Sequence, residues 1–195
     1  MKHFKIFVLF AVLTVLPAAC GPGNTVRLLP LPRLENTVLP APNAPHVTVV
    51  AFEDKRLDQS NIGTRRDRSA FVTSDIPSQW VSKALADELS RNGLQVSYAL
   101  GVAEARKGNP DYLVLGQLTE AELREISATE LTSSLRVDFS LSNRQARIVR
   151  ESLHASQSRT GLPSGSAADN LMQDTLQDLV KPVARKIIQA IEGKK

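Results

Sequence analysis

Few side chains in this 195-residue chain have the types and spacing that chemistry requires. The histidines are His3, His46 and His154. A serine nucleophile needs a base that a third group orients. Ser152, His154 and Ser156 fall on one face of a predicted strand that reads as solvated, and no Gly-x-Ser-x-Gly elbow occurs. No histidine pair has the spacing of zinc ligands, and no glycine loop is built to cradle phosphate. Glu120, Glu122 and Glu125 read as carboxylates at a solvated strand end. The expectation is a protein that is not an enzyme and holds no cofactor and no metal. Two features remain. One is the lone thiol of Cys20. The other is a run of Arg56, Arg65, Arg66 and Arg68 between Glu53 and Thr73. Arginine grips phosphate or carboxylate with two parallel bonds, so these four are the candidate site for an anion or a partner. Asp54, Asp58 and Asp67 lie among them and offer local pairing instead.

Cys20 ends an N-terminal segment with the parts of a secretory signal. Lys2 and Lys5 precede the apolar run Ile6 to Leu16, and Ala18-Ala19 supply small residues before a cut. The run is too short to span a bilayer, which takes about 20 apolar residues. Leu16-Pro17-Ala18-Ala19-Cys20-Gly21 resembles the lipobox of bacterial lipoproteins, although Pro17 occupies the place where that motif usually has Leu. The resemblance implies that Cys20 is acylated and becomes the first residue of the mature chain, tied to a membrane by its acyl chains. Each buried methylene contributes about 0.8 kcal/mol and one chain anchors only marginally, so the three chains of such lipoproteins suffice. Gly21, in place of the Asp that favours inner-membrane retention, implies the outer membrane, facing the periplasm. The competing expectation is an ordinary signal peptide cut near Ala19.

Loss of Lys2 and Lys5 with the signal leaves 22 basic residues against 20 acidic ones, too balanced to point to nucleic acid. With Cys20 acylated no thiol remains for a disulfide, so the fold rests on its core. Residues 1–19 read as signal, 20–45 as lipidated cysteine and linker, and 46–195 as one domain. The linker carries Pro22, Pro30, Pro32, Pro40, Pro42 and Pro45, which favour a semi-rigid extended strap. An unstructured tether is the favoured reading. Val26, Leu28, Leu29, Leu31 and Leu34 leave open that part of it packs on the domain or on lipid.

Val47–Phe52 is a short β-branched run suited to a buried strand. The stretch 53–73 has no apolar period and reads as a long loop, with 55–74 expected to be the most mobile part of the domain. Trp80, Val81, Ala84, Leu85 and Leu89 recur at helical spacing after Ser74 or Asp75 as cap and Pro77 in the first turn, and Asn92-Gly93 stops that helix. Leu94–Leu100 alternates as a strand, and 101–111 reads as a connection. Tyr112–Leu118 reads as a central strand, with Thr119–Glu125 extending it into solvent. The alternating run 131–142 and the segment 146–157 form a hairpin. Ser166 with Asp169 resembles a capping box for a long last helix, which Pro182 should kink. The predicted class is α/β of the α+β kind. It is a single domain with a mixed sheet of about five strands and two helices packed on it, in the order β-α-β-β-β-β-α.

Taken together, the lipobox, the strap and several short motifs resemble the YajG family of Gram-negative lipoproteins. The motifs are Val47-Thr48-Val49-Val50, Asp54-Lys55-Arg56, Ile62-Gly63, Arg91-Asn92-Gly93 and Asp111-Tyr112-Leu113-Val114-Leu115-Gly116. The domain also looks like those of the periplasmic lipoproteins CsgG and LpoB, a likeness of fold alone. The resemblance implies location and fold and leaves the role open. The favoured expectation is an interaction or accessory module that binds an envelope protein or an anionic envelope component. The alternative is an auxiliary lipoprotein of a lipid or ABC-type transport system. A deep apolar cavity would favour the carrier, and a filled core with an exposed sheet edge the module.

Overall fold

A sixteen-residue strand organises the sheet. The computed structural model describes residues 23–32, 38–161 and 164–193. Cys20, the signal, Pro22 and Leu34 lie outside the described residues. In chain order the elements are β1 (His46–Val50), β2 (Glu53–Asp54), β3 (Gly63–Thr64), β4 (Ala70–Phe71), α1 (Pro77–Arg91), β5 (Gln95–Ala99), α2 (Val102–Lys107), β6 (Tyr112–Ser127), β7 (Glu130–Asn143), β8 (Arg147–Thr160) and α3 (Gly165–Glu192). One edge of β6 is met in turn by β1, β2 and β3, all parallel to it. Its other edge carries antiparallel β7, with β8 beyond. β5 extends the sheet past β1, and β4 past β3.

The single α+β domain with helices on a mixed sheet is as expected, with eight strands where about five were predicted. The extra ones are β2, β3 and β4, each two residues long and taken from the stretch read as a loop. A two-residue strand has no periodicity to read: β2 and β3 form because β6 offers backbone groups beside them, and β4 because β3 does. The expected connection 101–111 contains α2, which buries only Ala105 and so has no apolar stripe to announce it. β6 continues past Leu118 to Ser127, with Ala121 and Leu123 buried, where an excursion into solvent was expected. A register shift between Leu118 and Glu120 breaks the alternation there, which hid the second half of the strand.

Helices α1 and α3 cover one sheet face with the residues their spacing predicts. Trp80, Val81, Ala84, Leu85 and Leu89 of α1 are buried, as are Leu171, Met172, Leu176, Leu179, Val183 and Ile187 of α3. Both expected N-caps differ. The residue before α1 is Ile76, without a side-chain cap bond, and Pro77 begins the helix. Asp75 instead accepts from Leu28 N at 2.9 Å. Ser164, not Ser166, caps α3 by accepting from Ala167 N. Asp169 is buried and accepts from Arg27 N and Nε at 3.0 and 3.1 Å. α3 runs without interruption through Pro182.

Those two aspartates are used by the strap, which corrects the favoured tether reading over its described residues. Val26, Leu28 and Leu31 are buried in the core. Trp80 Nε1 donates to Leu29 O at 2.8 Å, and the Gln173 amide donates to Pro30 O. The strap enters beside Val72, through Val72 N to Asn24 O at 2.9 Å and Val26 N to Val72 O at 2.8 Å, and reaches Asn92 at Val38. Its prolines spare the buried segment backbone donors that would otherwise need partners.

Gly63 shows how tightly the 53–73 segment is seated. Its φ is 150°, and a Cβ there would stand 1.8 Å from Leu123 O. Gly63→Ala is expected to lower unfolding free energy by about 3 kcal/mol, from a left-handed backbone and a backbone clash together. Urea denaturation of the purified domain measures it, and a change under about 0.5 kcal/mol would contradict this seating.

Candidate functional site

The four candidate arginines divide into two pairs. Arg56 is buried, its Nε and Nη2 donating to the Asp54 carboxylate at 3.0 and 2.8 Å and its Nη1 to Asn61 O at 2.7 Å. Arg65 Nε donates to Glu125 at 3.0 Å and Nη1 to Asn24 Oδ1 at 2.8 Å, with its guanidinium 5.9 Å from the centre of the Phe71 ring. Arg56 ties the segment to itself, and Arg65 fastens it to β6 and to the strap. The fork of guanidinium donors that suits an external anion serves equally well to bridge a carboxylate and a carbonyl within the fold. Arg66 and Arg68 are exposed, and their side chains have no partner among the described residues.

Local turn chemistry puts them there. Arg65–Ser69 closes the β3–β4 hairpin through Arg65 N to Ser69 O at 2.8 Å and Arg68 N to Arg65 O at 2.9 Å. Arg68 takes φ 71°, the left-handed position such a turn reserves for glycine. Asp67 accepts from Ser69 N and Oγ at 2.9 and 2.6 Å, which lowers its pKa. The arginine in the glycine position is what concealed the hairpin from its sequence.

The sheet face away from the helices forms a second surface. Its β8 residues include Ser152, His154, Ser156 and Ser158, all exposed, as the alternation predicted. Glu120 sits at its middle. It accepts from the Ser134 hydroxyl and from Arg136 Nε at 3.3 Å, with His154 Nε2 at 3.9 Å. Glu122 pairs with Arg124 and Glu125 with Arg65, so the three carboxylates go to different partners. His154 meets the Glu120 carboxylate, and no serine hydroxyl is bonded to its imidazole among the described residues, so the contact activates no nucleophile.

A serine–histidine contact occurs elsewhere. His46 Nε2 and Ser97 Oγ are 2.7 Å apart across β1 and β5. The nearby Asp111 accepts from the His46 backbone N at 3.0 Å, so its carboxylate is spent on the main chain and does not orient the ring. Fifty-one residues separate the pair, and only parallel pairing of β1 with β5 brings them together. No cluster of metal-ligating side chains occurs among the described residues.

The third surface is a groove of about 280 Å³ near the start of β8. Val50, Leu115 and Phe139 line it together with Glu53, Asp138, Arg147 and Arg150. Gly116 lies beside it because the Phe52 ring would be 2.5 Å from a Cβ at that position. The groove mixes both charges with apolar surface.

No protein-family model and no curated protein matches the chain. Among solved structures, a Xanthomonas campestris protein of the DUF330 family superposes with a TM-score of 0.55 at 10% identity, over 81% of this chain and 95% of that one. The PelC dodecamer from Paraburkholderia phytofirmans gives 0.45 at 16% identity, over 79% and 93%. A minor lipoprotein from Acinetobacter baumannii gives 0.42 at 17% identity, over 72% and 91%. The first likeness establishes a shared fold and nothing finer.

The Ser134 hydroxyl does most to hold the Glu120 carboxyl below its ordinary value of 4.5; partial burial opposes it, and Arg136 and His154 add to it. A depressed folded value contributes stability that is present above the unfolded value and is lost as pH falls through the folded one. Glu120→Gln is therefore expected to flatten the fall in melting temperature between about pH 5 and pH 3. Parallel melting curves for the two proteins over that range would refute it.

Proposed function

We propose that the chain is a lipid-anchored protein of the bacterial envelope, on the outer membrane and facing the periplasm, whose domain is a non-enzymatic interaction module. The likeness to YajG lipoproteins and the segment ending at Cys20 support the anchor. No helix among the described residues is long and apolar enough to cross a membrane.

The observation that carries the module is the free edge of β8 beside a filled core. β8 is fourteen residues long and pairs only with β7 among the described residues. Gly161 N donates to Thr129 O at 2.8 Å, so the odd residues of β8 are those doubly bonded to β7. The backbone groups of Arg150, Ser152, His154, Ser156, Ser158 and Thr160 consequently point outward. Proteins usually blunt such an edge with proline, lysine or a bulge. From Arg150 to Thr160 there is no proline and no lysine. The only register shift lies before Val149. An extended segment of a partner can add here as a further strand, with main-chain bonds for affinity and the flanking side chains for selectivity.

A carrier of lipid would need a deep apolar cavity. Among the described residues the enclosed cavity beside Leu131 and Ala167 measures about 30 Å³, room for one water, and the larger grooves, of about 280 to 470 Å³, carry charged side chains such as Arg150, Glu120 and Arg124 in their walls.

Two experiments test the reading. Cys20→Ala is expected to move the mature protein from the membrane to the soluble fraction and to lower its mass by that of the acyl chains. Unchanged fractionation and mass would refute the anchor. A photo-crosslinker at His154 in cells is expected to capture an envelope protein, and Ser156→Pro to abolish the adduct. Proline at that outward position removes an edge donor and leaves the ladder to β7 intact. An adduct that survives Ser156→Pro at full yield, in a protein whose circular dichroism is unchanged, would remove the edge from the proposal.

A further inference from the structure

We infer that the domain stands end-on on its membrane, with the β3–β4 hairpin and the β6–β7 turn seated among phospholipid headgroups and Arg66 and Arg68 contacting their phosphates. This rests on the reading of Cys20 as the acylated residue.

Chain length limits how far the domain can stand from the anchor. Asn24 is fixed to the domain by its carbonyl, which accepts from Val72 N, and by its side chain, which accepts from Arg65. Three residues lie between it and Cys20, so four Cα steps, at most about 14 Å of extended chain, join the two. A lipid-anchored domain on a long linker can tumble freely. One whose core packing begins at Val26 cannot lift its entry point away from the headgroups.

What surrounds the entry point is therefore what meets lipid. Arg65 joins Asn24 to Glu125, which brings the hairpin tip and the end of β6 to the same place. Arg66 and Arg68 project there with no internal partner among the described residues. Val72 and Ile126, 39% and 52% exposed, lie beside them, apolar side chains that can enter the interfacial layer. A guanidinium among headgroups makes charge-assisted bonds to phosphate. Local carboxylates leave this end without a large excess of positive charge. The attachment expected is a set of specific contacts added to an existing anchor, and not independent recruitment to anionic membranes.

The same geometry fixes what faces away. α3 spans 28 residues, about 42 Å, from Gly165 near this end to Glu192 at the other. The groove of Arg147 and Arg150 and the turn at Arg144 and Gln145 belong to the far end. β8 rises from the membrane side toward them, so its free edge stands roughly along the membrane normal.

The test uses the full lipidated chain in vesicles of phosphatidylethanolamine and phosphatidylglycerol containing a headgroup-linked quencher. A fluorophore is placed on Ala128→Cys, in the β6–β7 turn, or on Gln145→Cys at the far end. Acylated Cys20 takes no label. Strong quenching at position 128 and little at 145 is expected. Arg66→Gln with Arg68→Gln should lower quenching at 128 about twofold or more while the protein still floats with the vesicles. Equal quenching at both positions would overturn the end-on arrangement. Quenching at 128 indifferent to the arginine replacements would overturn the phosphate contacts. A chain that fails to float at all would refute the anchor itself, a result distinct from both.

Discussion

Strand β6 sets the terms for the rest of the molecule. Sixteen residues of extended chain carry backbone donors and acceptors on both edges, and a buried strand must have them paired. On one side a single fourteen-residue partner, β7, does this almost without a break. On the other side no single strand matches its length. The task is shared among β1, β2 and β3, taken from 46–64 in one pass. The segment between β1 and α1 is held in place because β6 requires partners there, and its charged residues serve that end. Arg56 closes onto Asp54 and Asn61, and Gly63 permits a backbone approach that no side chain would allow.

The second layer follows from the first. A long sheet with one apolar face needs a cover, and α1 and α3 supply it with stripes of matching length. Two helices leave a furrow between them, and the strap fills part of it with Val26, Leu28 and Leu31. Asp75 and Asp169, at the starts of α1 and α3, hold the strap's amides. Each also places a carboxylate near the positive end of a helix, where negative charge is stabilised. Between sheet and α3, buried Ser133 and Thr175 satisfy one another, and Thr175 also donates to Leu171 O at 2.8 Å, so this polar pair carries no unmet bond into the core.

Function in this arrangement falls to what the packing leaves over. One sheet face is covered by helices and strap. The other is open and rich in hydroxyls, and one long edge is unpaired among the described residues. The strap bears on all of these, because a chain segment that composition marks as a spacer acts, over its described residues, as part of the core. The short motifs behind the YajG resemblance have the same character. Asp54-Lys55-Arg56, Ile62-Gly63 and the Gly116 position are places where backbone geometry or a buried ion pair leaves little choice of residue. They report on fold and are silent on partner.

Periodicity made α1, α3, β1, β5, the hairpin of β7 and β8 and the first half of β6 legible from residue order alone. Each of these buries a face of its own, and the spacing of its apolar residues records that burial. The segment ending at Cys20 is read by composition alone, and it lies outside the described residues. Tertiary structure alone decided the remainder. β2 and β3 are strands only because β6 lies beside them, β4 because β3 does, and α2 is too short to carry a stripe. The strap's choice between water and core depended on a furrow made by helices more than 50 residues away. The four arginines are identical in sequence terms. Arg56 and Arg65 are internal because Asp54, Asn61, Glu125 and Asn24 come to meet them, whereas Arg66 and Arg68 fall on the outside of a turn. Spacing along a chain reports which face an element buries. It does not report which groups the fold will bring to that face, and that pairing separates a structural arginine from one left free to bind.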